Sequence, residues 1–337
     1  MVFGIISHNI PAKMKPAFHH KLLNGRYGDP CLVVRIIRER RALLFDLGDI
    51  HALSPAVLSR VTDVFVSHTH IDHFIGFDAM LRATLRRSAP LTLYGPSGIT
   101  RNVEGRLRGY AWNLIREYPA EIVVVEYSGR SLRRAVFRAE SGFAKQTLPR
   151  TASDGLLLED PAFTVRAAVL DHGIPCLAFS LEEPFRMNID KDRLLRRNLT
   201  VGPWLTVLKR KVREGSIAGY LIVGRKRYAL RDLLDIVRLG RGQKICYATD
   251  IGINRKNAGK LIALAKNADS FYCEAYFMEE DRRLAAGRYH LTTGECGRIA
   301  RSAGVGKLYP MHFSPRYHGS EAELIKEVEE EFGGRIS

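Results

Sequence analysis

The segment Ser67-His68-Thr69-His70-Ile71-Asp72-His73 constrains this chain more than any other. It follows directly on an apolar run, Val61–Ser67, that reads as a strand. Four ligand-type side chains within six positions are hard to account for as surface decoration. In an extended turn His68 and His70 lie on one side, two residues apart. Asp72 and His73 are adjacent and must point apart, so the segment can serve two metal ions. Imidazole and carboxylate suit zinc and other first-row divalent ions, manganese and iron among them.

A site of this kind needs further ligands from elsewhere, and strand ends are where loops converge side chains. Further β-branched apolar runs read as strands: Cys31–Ile36, Ala42–Leu47, Leu91–Tyr94, Glu121–Tyr127, Phe163–Leu170, Cys176–Leu181, Lys244–Ala248, Phe271–Ala275 and Lys307–Met311. Several end in ligand-type residues. Phe163–Leu170 runs into Asp171-His172, Lys244–Ala248 into Thr249-Asp250, and Lys307–Met311 into His312; Glu274 closes Phe271–Cys273. His172 and His312 suit the completion of two metal shells, with Asp250 as the carboxylate that joins them. Each also has an ordinary reading: a hydrogen-bonded loop histidine, or for Asp250 a helix N-cap. His290 opens His290-Leu291-Thr292-Thr293, just before an expected helix. It suits a proton donor, or simply a loop residue near a helix N-terminus. His8, His19, His20, His51 and His318 have no matching context and read as surface or loop residues.

Helical spacing is expected over Phe74–Arg87, Leu261–Ala268, Thr293–Ala303 and Ser320–Phe332, the last with Ser320 as N-cap and Glu323 completing a capping box. Strands and helices so interspersed imply layered α/β architecture, with two sheets flanked by helices rather than one alternating parallel sheet. No stretch approaches the ~20 apolar residues of a membrane span. No basic segment followed by a long apolar one opens the chain, so a cytoplasmic protein with no membrane partner is expected. The five cysteines, Cys31, Cys176, Cys246, Cys273 and Cys296, are scattered and form no CxxC pair, which disfavours disulfides and a zinc knuckle.

Lys and Arg total 52 against 36 Asp and Glu, a net charge of +16. Such an excess favours anionic partners, above all nucleic acid. The excess is local: residues 186–243 hold 15 basic and 5 acidic residues, ten of the sixteen. This interval contains Gly202-Pro203, Trp204, the run Lys209-Arg210-Lys211-Val212-Arg213 and Arg225-Lys226-Arg227. It reads as an insertion projecting from the fold, or as a solvated helical subdomain without a partner.

Ser67–His73 resembles the HxHxDH signature of the metallo-β-lactamase superfamily. Later segments resemble one branch, the ribonuclease Z family of transfer-RNA 3′-processing endonucleases. They are Val169–Pro175 around His172, Ala248-Thr249-Asp250, Glu274-Ala275-Tyr276-Phe277, His290-Leu291-Thr292-Thr293 and His312-Phe313-Ser314-Pro315-Arg316-Tyr317. Asp46-Leu47-Gly48-Asp49 keeps part of another family motif, whereas Met1–Tyr27 lacks the Gly-rich opening turn. Thr249-Asp250-Ile251 stands where the family has Gly-Asp-Thr, and Tyr276 where it has Thr.

The resemblance implies a four-layer αββα sandwich, formed by a single domain over residues 1–337 with residues 186–243 as a protruding basic arm. It implies two zinc ions, one held by His68, His70 and His172, the other by Asp72, His73 and His312, with Asp250 bridging. Asp72 would also take a proton from water, and His290, oriented by Glu274, would protonate the leaving 3′-oxygen. Gly202, Pro203, Lys209, Arg210, Lys211 and Arg213 would contact RNA, the substrate would be precursor transfer RNA, and the enzyme a homodimer. Two rivals stay open: the same fold acting on a small phosphodiester, cyclic nucleotide or thioester, and a nucleic-acid-binding protein with a vestigial metal site.

Overall fold

The computed structural model describes residues 17–337 apart from Arg38 and Ile217. His8 and the other residues of 1–16, part of the atypical N-terminal segment 1–41, lie outside the described residues. The expected pair of sheets is present. The first has the strand order Phe18–Leu22, Leu32–Ile36, Arg41–Phe45, Val61–Phe65, Leu91–Pro96, Glu121–Tyr127, Ser131–Arg138 and Lys145–Thr147, with Thr151–Ala152 also paired to Ser131–Arg138. Arg41–Phe45, Val61–Phe65, Leu91–Pro96 and Glu121–Tyr127 pair in parallel. The second sheet runs Leu156–Asp160, Phe163–Asp171, Pro175–Glu182, Lys244–Ala248, Ser270–Glu274, Lys307–Met311 and Arg335–Ile336. Its last four strands are parallel.

Strand alternation builds the layers. Ala42, Leu44, Val64 and Val66 face helices Phe77–Thr84 and Ile99–Arg108, packing with Phe77, Met80, Val103 and Leu107. Phe45 and Phe65 point the other way and meet the second sheet: Phe65 lies 5.7 Å from Phe179, and Phe45 6.0 Å from Tyr247, between ring centroids. Each such buried side chain contributes roughly 1.5–3 kcal/mol of transfer free energy. The far face of the second sheet, with Cys246, Ala248, Phe271 and Cys273, packs on helices Arg255–Ala265, Thr293–Ala303 and Glu321–Phe332. Helix, sheet, sheet, helix is thus the order of layers. All five cysteines are buried, and none forms a disulfide among the described residues. Among the described residues no helix is long and apolar enough to cross a membrane.

Several local expectations are corrected. Phe74–Arg87 is not one helix but Ile71–Phe74 followed by Phe77–Thr84. The break is at Gly76, whose amide donates to the Leu47 carbonyl at 2.9 Å. A Cβ there would fall 2.3 Å from the Gly48 carbonyl oxygen, so only glycine lets that loop close on the ligand segment. Ser320 does precede helix Glu321–Phe332, but its backbone is not extended and its side chain makes no capping hydrogen bond, so no capping box forms. Asp250 caps no helix; Asn254 caps Arg255–Ala265, accepting from the Asn257 amide at 2.8 Å. His20 is a half-buried strand residue with its Nδ1 2.7 Å from the Tyr272 hydroxyl, not a loop histidine. Strand Ser131–Arg138 is hidden in the sequence because Arg133 and Arg134 interrupt its apolar pattern.

Residues 159–164 and 182–243 cluster as a compact unit of their own. It is not helical throughout. Strand Arg186–Ile189 pairs with Val237–Gly240, and Tyr220–Val223 forms a hairpin with Lys226–Ala229. Helices Lys191–Arg196 and Trp204–Arg213 pack on a separate apolar core that includes Met187, Leu194, Trp204, Leu208, Leu233 and Ile236. Buried Asp190 caps the first helix and accepts from the Arg238 guanidinium.

Candidate active site

Strand ends of both sheets deliver the expected ligands to one place. Three site residues take left-handed backbone conformations as the chain leaves a strand: Asp46 at φ +59°, Asp250 at +55° and His312 at +55°. Such conformations cost side-chain-bearing residues roughly 1–3 kcal/mol each and concentrate at functional sites. The Leu177 amide donates to the Ser67 carbonyl at 2.9 Å, tying the ligand segment to the second sheet.

Potential ligand atoms lie within 4.8 Å of one another in four groups: His68, His73 and Asp250; Asp250, Glu274, His290 and His312; and two triplets, His68, His70 and His172, and Asp72, His73 and His312. Asp250 lies between them. Its Oδ2 is 2.7 Å from His73 Nε2 and its Oδ1 is 3.4 Å from His172 Nε2. Asp72 Oδ2 is 3.1 Å from His73 Nε2 and 3.4 Å from His312 Nε2. The donor set fits a metal. His68 Nε2 and His73 Nε2 are buried and make no hydrogen bond, although a buried polar atom without a partner costs about 1–3 kcal/mol. His73 Nε2 approaches the Asp72 and Asp250 carboxylates without hydrogen-bond geometry, as an atom aimed at a common cation does.

The opposite ring nitrogens are held in place, as metal-binding histidines require. His172 Nδ1 donates to the Tyr289 carbonyl at 2.7 Å, and His68 Nδ1 lies 3.1 Å from the Ser67 hydroxyl. His73 Nδ1 donates to Asp46 Oδ2 at 2.9 Å. Asp46 is fully buried and also accepts from the Ser67 amide, the Ser67 hydroxyl and the Tyr247 hydroxyl at 2.6, 2.9 and 2.8 Å. Sequence reasoning assigned Asp46 no role. A carboxylate closing an otherwise apolar strand was the available signal.

Beside Asp250 sits a second group. Buried Glu274 accepts from His290 Nδ1 at 2.9 Å and from the Ile251 and Leu291 amides at 2.6 and 3.1 Å. His290 is largely covered, and its Nδ1 is 3.4 Å from Asp250 Oδ1. The Tyr276 ring stacks on His290, centroids 4.0 Å apart and planes 11° apart. His19, His51 and His318 are exposed and outside this cluster.

The charges are arranged to be exchanged for a metal. Burial and the neighbouring histidines push the His68 imidazole down to about 2, so the ring is neutral and free to act as a metal ligand. Burial alone would lower His312 as well, but the Asp250 charge, the hydrogen bond to Asp72 and the Glu274 carboxylate 3.6 Å away outweigh it and raise His312 to about 9. Its folded pKa thus exceeds the ordinary value near 6.5. The stability this gives the metal-free protein is full below about pH 6.5 and disappears as pH rises through about 9. Chelated protein should therefore melt at lower temperature at pH 9.5 than at pH 6.5, and the metal-loaded protein should lose less. A melting temperature of the chelated protein that rises over this interval contradicts the arrangement. Metal must displace the same proton, so metal affinity should rise with pH.

No protein-family model matches the chain. It is 34% identical to the ribonuclease Z of Deinococcus radiodurans over 284 residues, which span 83% of this chain and 84% of that protein. It is 31% identical over 309 residues to the ribonuclease Z of Lactobacillus johnsonii, spanning 88% and 85%. The chain belongs to the ribonuclease Z family. Solved structures agree on the fold. The metallo-β-lactamase fold protein YhfI of Bacillus subtilis superposes with a TM-score of 0.55 at 17% identity, over 94% of this chain and 93% of that one. The short form of human tRNase Z gives 0.51 at 20% identity, over 90% and 92%. The expected αββα metallo-β-lactamase architecture is therefore present in this ribonuclease Z family member.

Proposed function

We infer that this protein is a metal-dependent endoribonuclease that hydrolyses a phosphodiester to remove the 3′ trailer of precursor transfer RNA. Membership of the ribonuclease Z family carries this reading, and the assembled cluster of His68, His70, Asp72, His73, His172, Asp250 and His312 supports it. A complete ligand set argues against a vestigial site, and the basic unit argues against a small substrate.

Our assignment gives His68, His70 and His172 to one zinc ion and Asp72, His73 and His312 to a second, with Asp250 between them. Such a pair, when bound, lowers the pKa of a water from ~15.7 towards neutral and neutralises charge developing on the phosphoryl oxygens. Asp72, half-exposed and held ionised by His312 and His73 against the opposing effect of burial, faces the cluster and takes the proton of the attacking water. His290 gives a proton to the leaving 3′-oxygen from Nε2, because Nδ1 is committed to Glu274. Glu274 is locked by two backbone amides and so fixes the His290 tautomer. A homodimer in the cytoplasm, where precursor transfer RNA is processed, completes the reading.

We assign transfer-RNA binding to the basic unit. Pro203 occupies the N-cap position of helix Trp204–Arg213, next to Gly202, and the helix carries Lys209, Arg210 and Lys211. Arg213 belongs to the fold instead, with its guanidinium 3.8 Å from buried Glu183. Arg225, Lys226 and Arg227 are exposed at the tip of the Tyr220–Ala229 hairpin, where Gly224 turns at φ +63°. RNA helices are read mainly through backbone and shape, which such cations suit. Replacing Arg210, Lys211, Arg225, Lys226 and Arg227 by Ala together should weaken binding of precursor transfer RNA at least tenfold. It should also flatten the salt dependence by about 0.7–0.9 log units per lost phosphate contact. Hydrolysis of a small chromogenic phosphodiester should be unchanged. Equal salt slopes for variant and parent would remove the unit from substrate binding.

A further inference from the structure

We propose that Tyr276 is a positioning residue for the proton donor, holding the His290 ring in the one plane from which Nε2 reaches the leaving oxygen. The inference rests on the reading of His290 as that donor. Glu274 fixes only one atom of the imidazole. A ring held at Nδ1 alone can still pivot about that hydrogen bond, and His290 lies in a loop after the short helix Arg282–Arg288. A flat partner stops the pivot. The Tyr276 and His290 rings are parallel to within 11° and 4.0 Å apart, a separation at which neither can tilt far without collision. Phe277 closes another side, edge-on at 6.0 Å.

Tyr276 is itself immobilised. Its carbonyl accepts from the Ser314 amide at 3.0 Å. Ala275 before it donates to the Met311 carbonyl at 2.9 Å, and Phe277 after it pairs with the strand-like segment at Thr292. The Tyr276 ring also meets His312 edge-to-face at 5.1 Å. One side chain therefore spans the donor histidine and the loop that carries His312. Stacked aromatic pairs are favourable beyond area burial, which selects one ring orientation among a few.

The test compares Tyr276→Ala, Tyr276→Phe and His290→Ala on two substrates, precursor transfer RNA and bis(p-nitrophenyl) phosphate, whose leaving group needs no proton. General acids contribute about 10²–10⁴-fold, so His290→Ala should lose that much kcat on RNA and little on the activated ester. Tyr276→Ala should lose about tenfold in kcat on RNA with KM unchanged, keep the activated ester within about twofold, and keep its metal content. Tyr276→Phe, which retains the stack, should restore kcat on RNA to within about twofold of the parent. If His290→Ala slows both substrates equally, the donor assignment fails and the inference with it. If His290→Ala is selective but Tyr276→Ala is not, the inference alone is overturned. Loss of metal from Tyr276→Ala also overturns it, since the ring would then serve His312 rather than His290.

Discussion

Asp250→Asn should abolish processing of precursor transfer RNA while leaving the fold in place. Asparagine matches aspartate in size and tolerates the left-handed backbone at position 250, so the substitution adds no strain. It removes the negative charge between two histidine-rich triplets. Asp250 is buried and, against the effect of burial, is held far below the ordinary carboxylate range by His312 and His73. Under the proposed two-metal assignment, a neutral amide would not hold the cations together at that point. Metal catalysis supplies several kcal/mol of transition-state stabilisation, and each ~1.4 kcal/mol is tenfold in rate, so activity should fall about a thousandfold or more. Metal analysis should show less bound metal, and circular dichroism should be unchanged. Near-parental activity in Asp250→Asn would mean that the cluster is not organised around this carboxylate.

The second large effect is expected at Asp46→Ala, a residue that touches no substrate. Removing its carboxylate strands the Ser67 amide and hydroxyl, the Tyr247 hydroxyl and His73 Nδ1 in a fully buried place. His73 is raised well above its ordinary pKa because, against burial, Asp250 and Asp46 favour its charged form. Breaking a buried charge pair by deleting one partner typically costs about 3–5 kcal/mol. Denaturant melts of the chelated protein should show a loss of that order. Metal affinity should fall about 10–100-fold, the usual consequence of removing the group that orients a ligand histidine. Asp46→Asn should recover part of both, since an amide oxygen can still accept from His73. A stability loss below about 1 kcal/mol would show that the four hydrogen bonds to Asp46 are replaceable.

Much of this site was legible in the sequence because ligand chemistry is local. Four ligand-type residues succeed one strand, and His172, Asp250 and His312 each lie at or just beyond the end of another. A strand's C-terminal end is readable from an apolar run, and the ligand beyond it is readable from its residue type. The family resemblance added the pairing of Glu274 with His290. Asp46 was less visible because its role exists only in three dimensions: its partners Ser67, His73 and Tyr247 are 21, 27 and 201 positions away. Tyr276 was seen as a departure from the family motif, but a stack on His290 depends on backbone ties to Ser314 and Met311 that no periodicity encodes.

The basic unit shows the opposite limit. Its charge excess was plain, yet charge says little about which cations are available. Arg186, Arg197, Arg213 and Arg238 lie against Glu183, Asp235, Glu183 and Asp190, respectively. Arg225, Lys226 and Arg227, by contrast, are exposed at the tip of the hairpin. Helix Phe74–Arg87 failed for a related reason. The apolar spacing is continuous, but Gly76 breaks it so that the Leu47–Gly48 loop can approach.

The most direct measurement is incubation of the purified protein with a 5′-end-labelled precursor transfer RNA, with and without chelator. A single cut at the 3′ side of the acceptor stem, abolished by chelator and restored by added zinc, is the predicted result. Intact RNA in the presence of zinc, under conditions where a small phosphodiester is still hydrolysed, would contradict it.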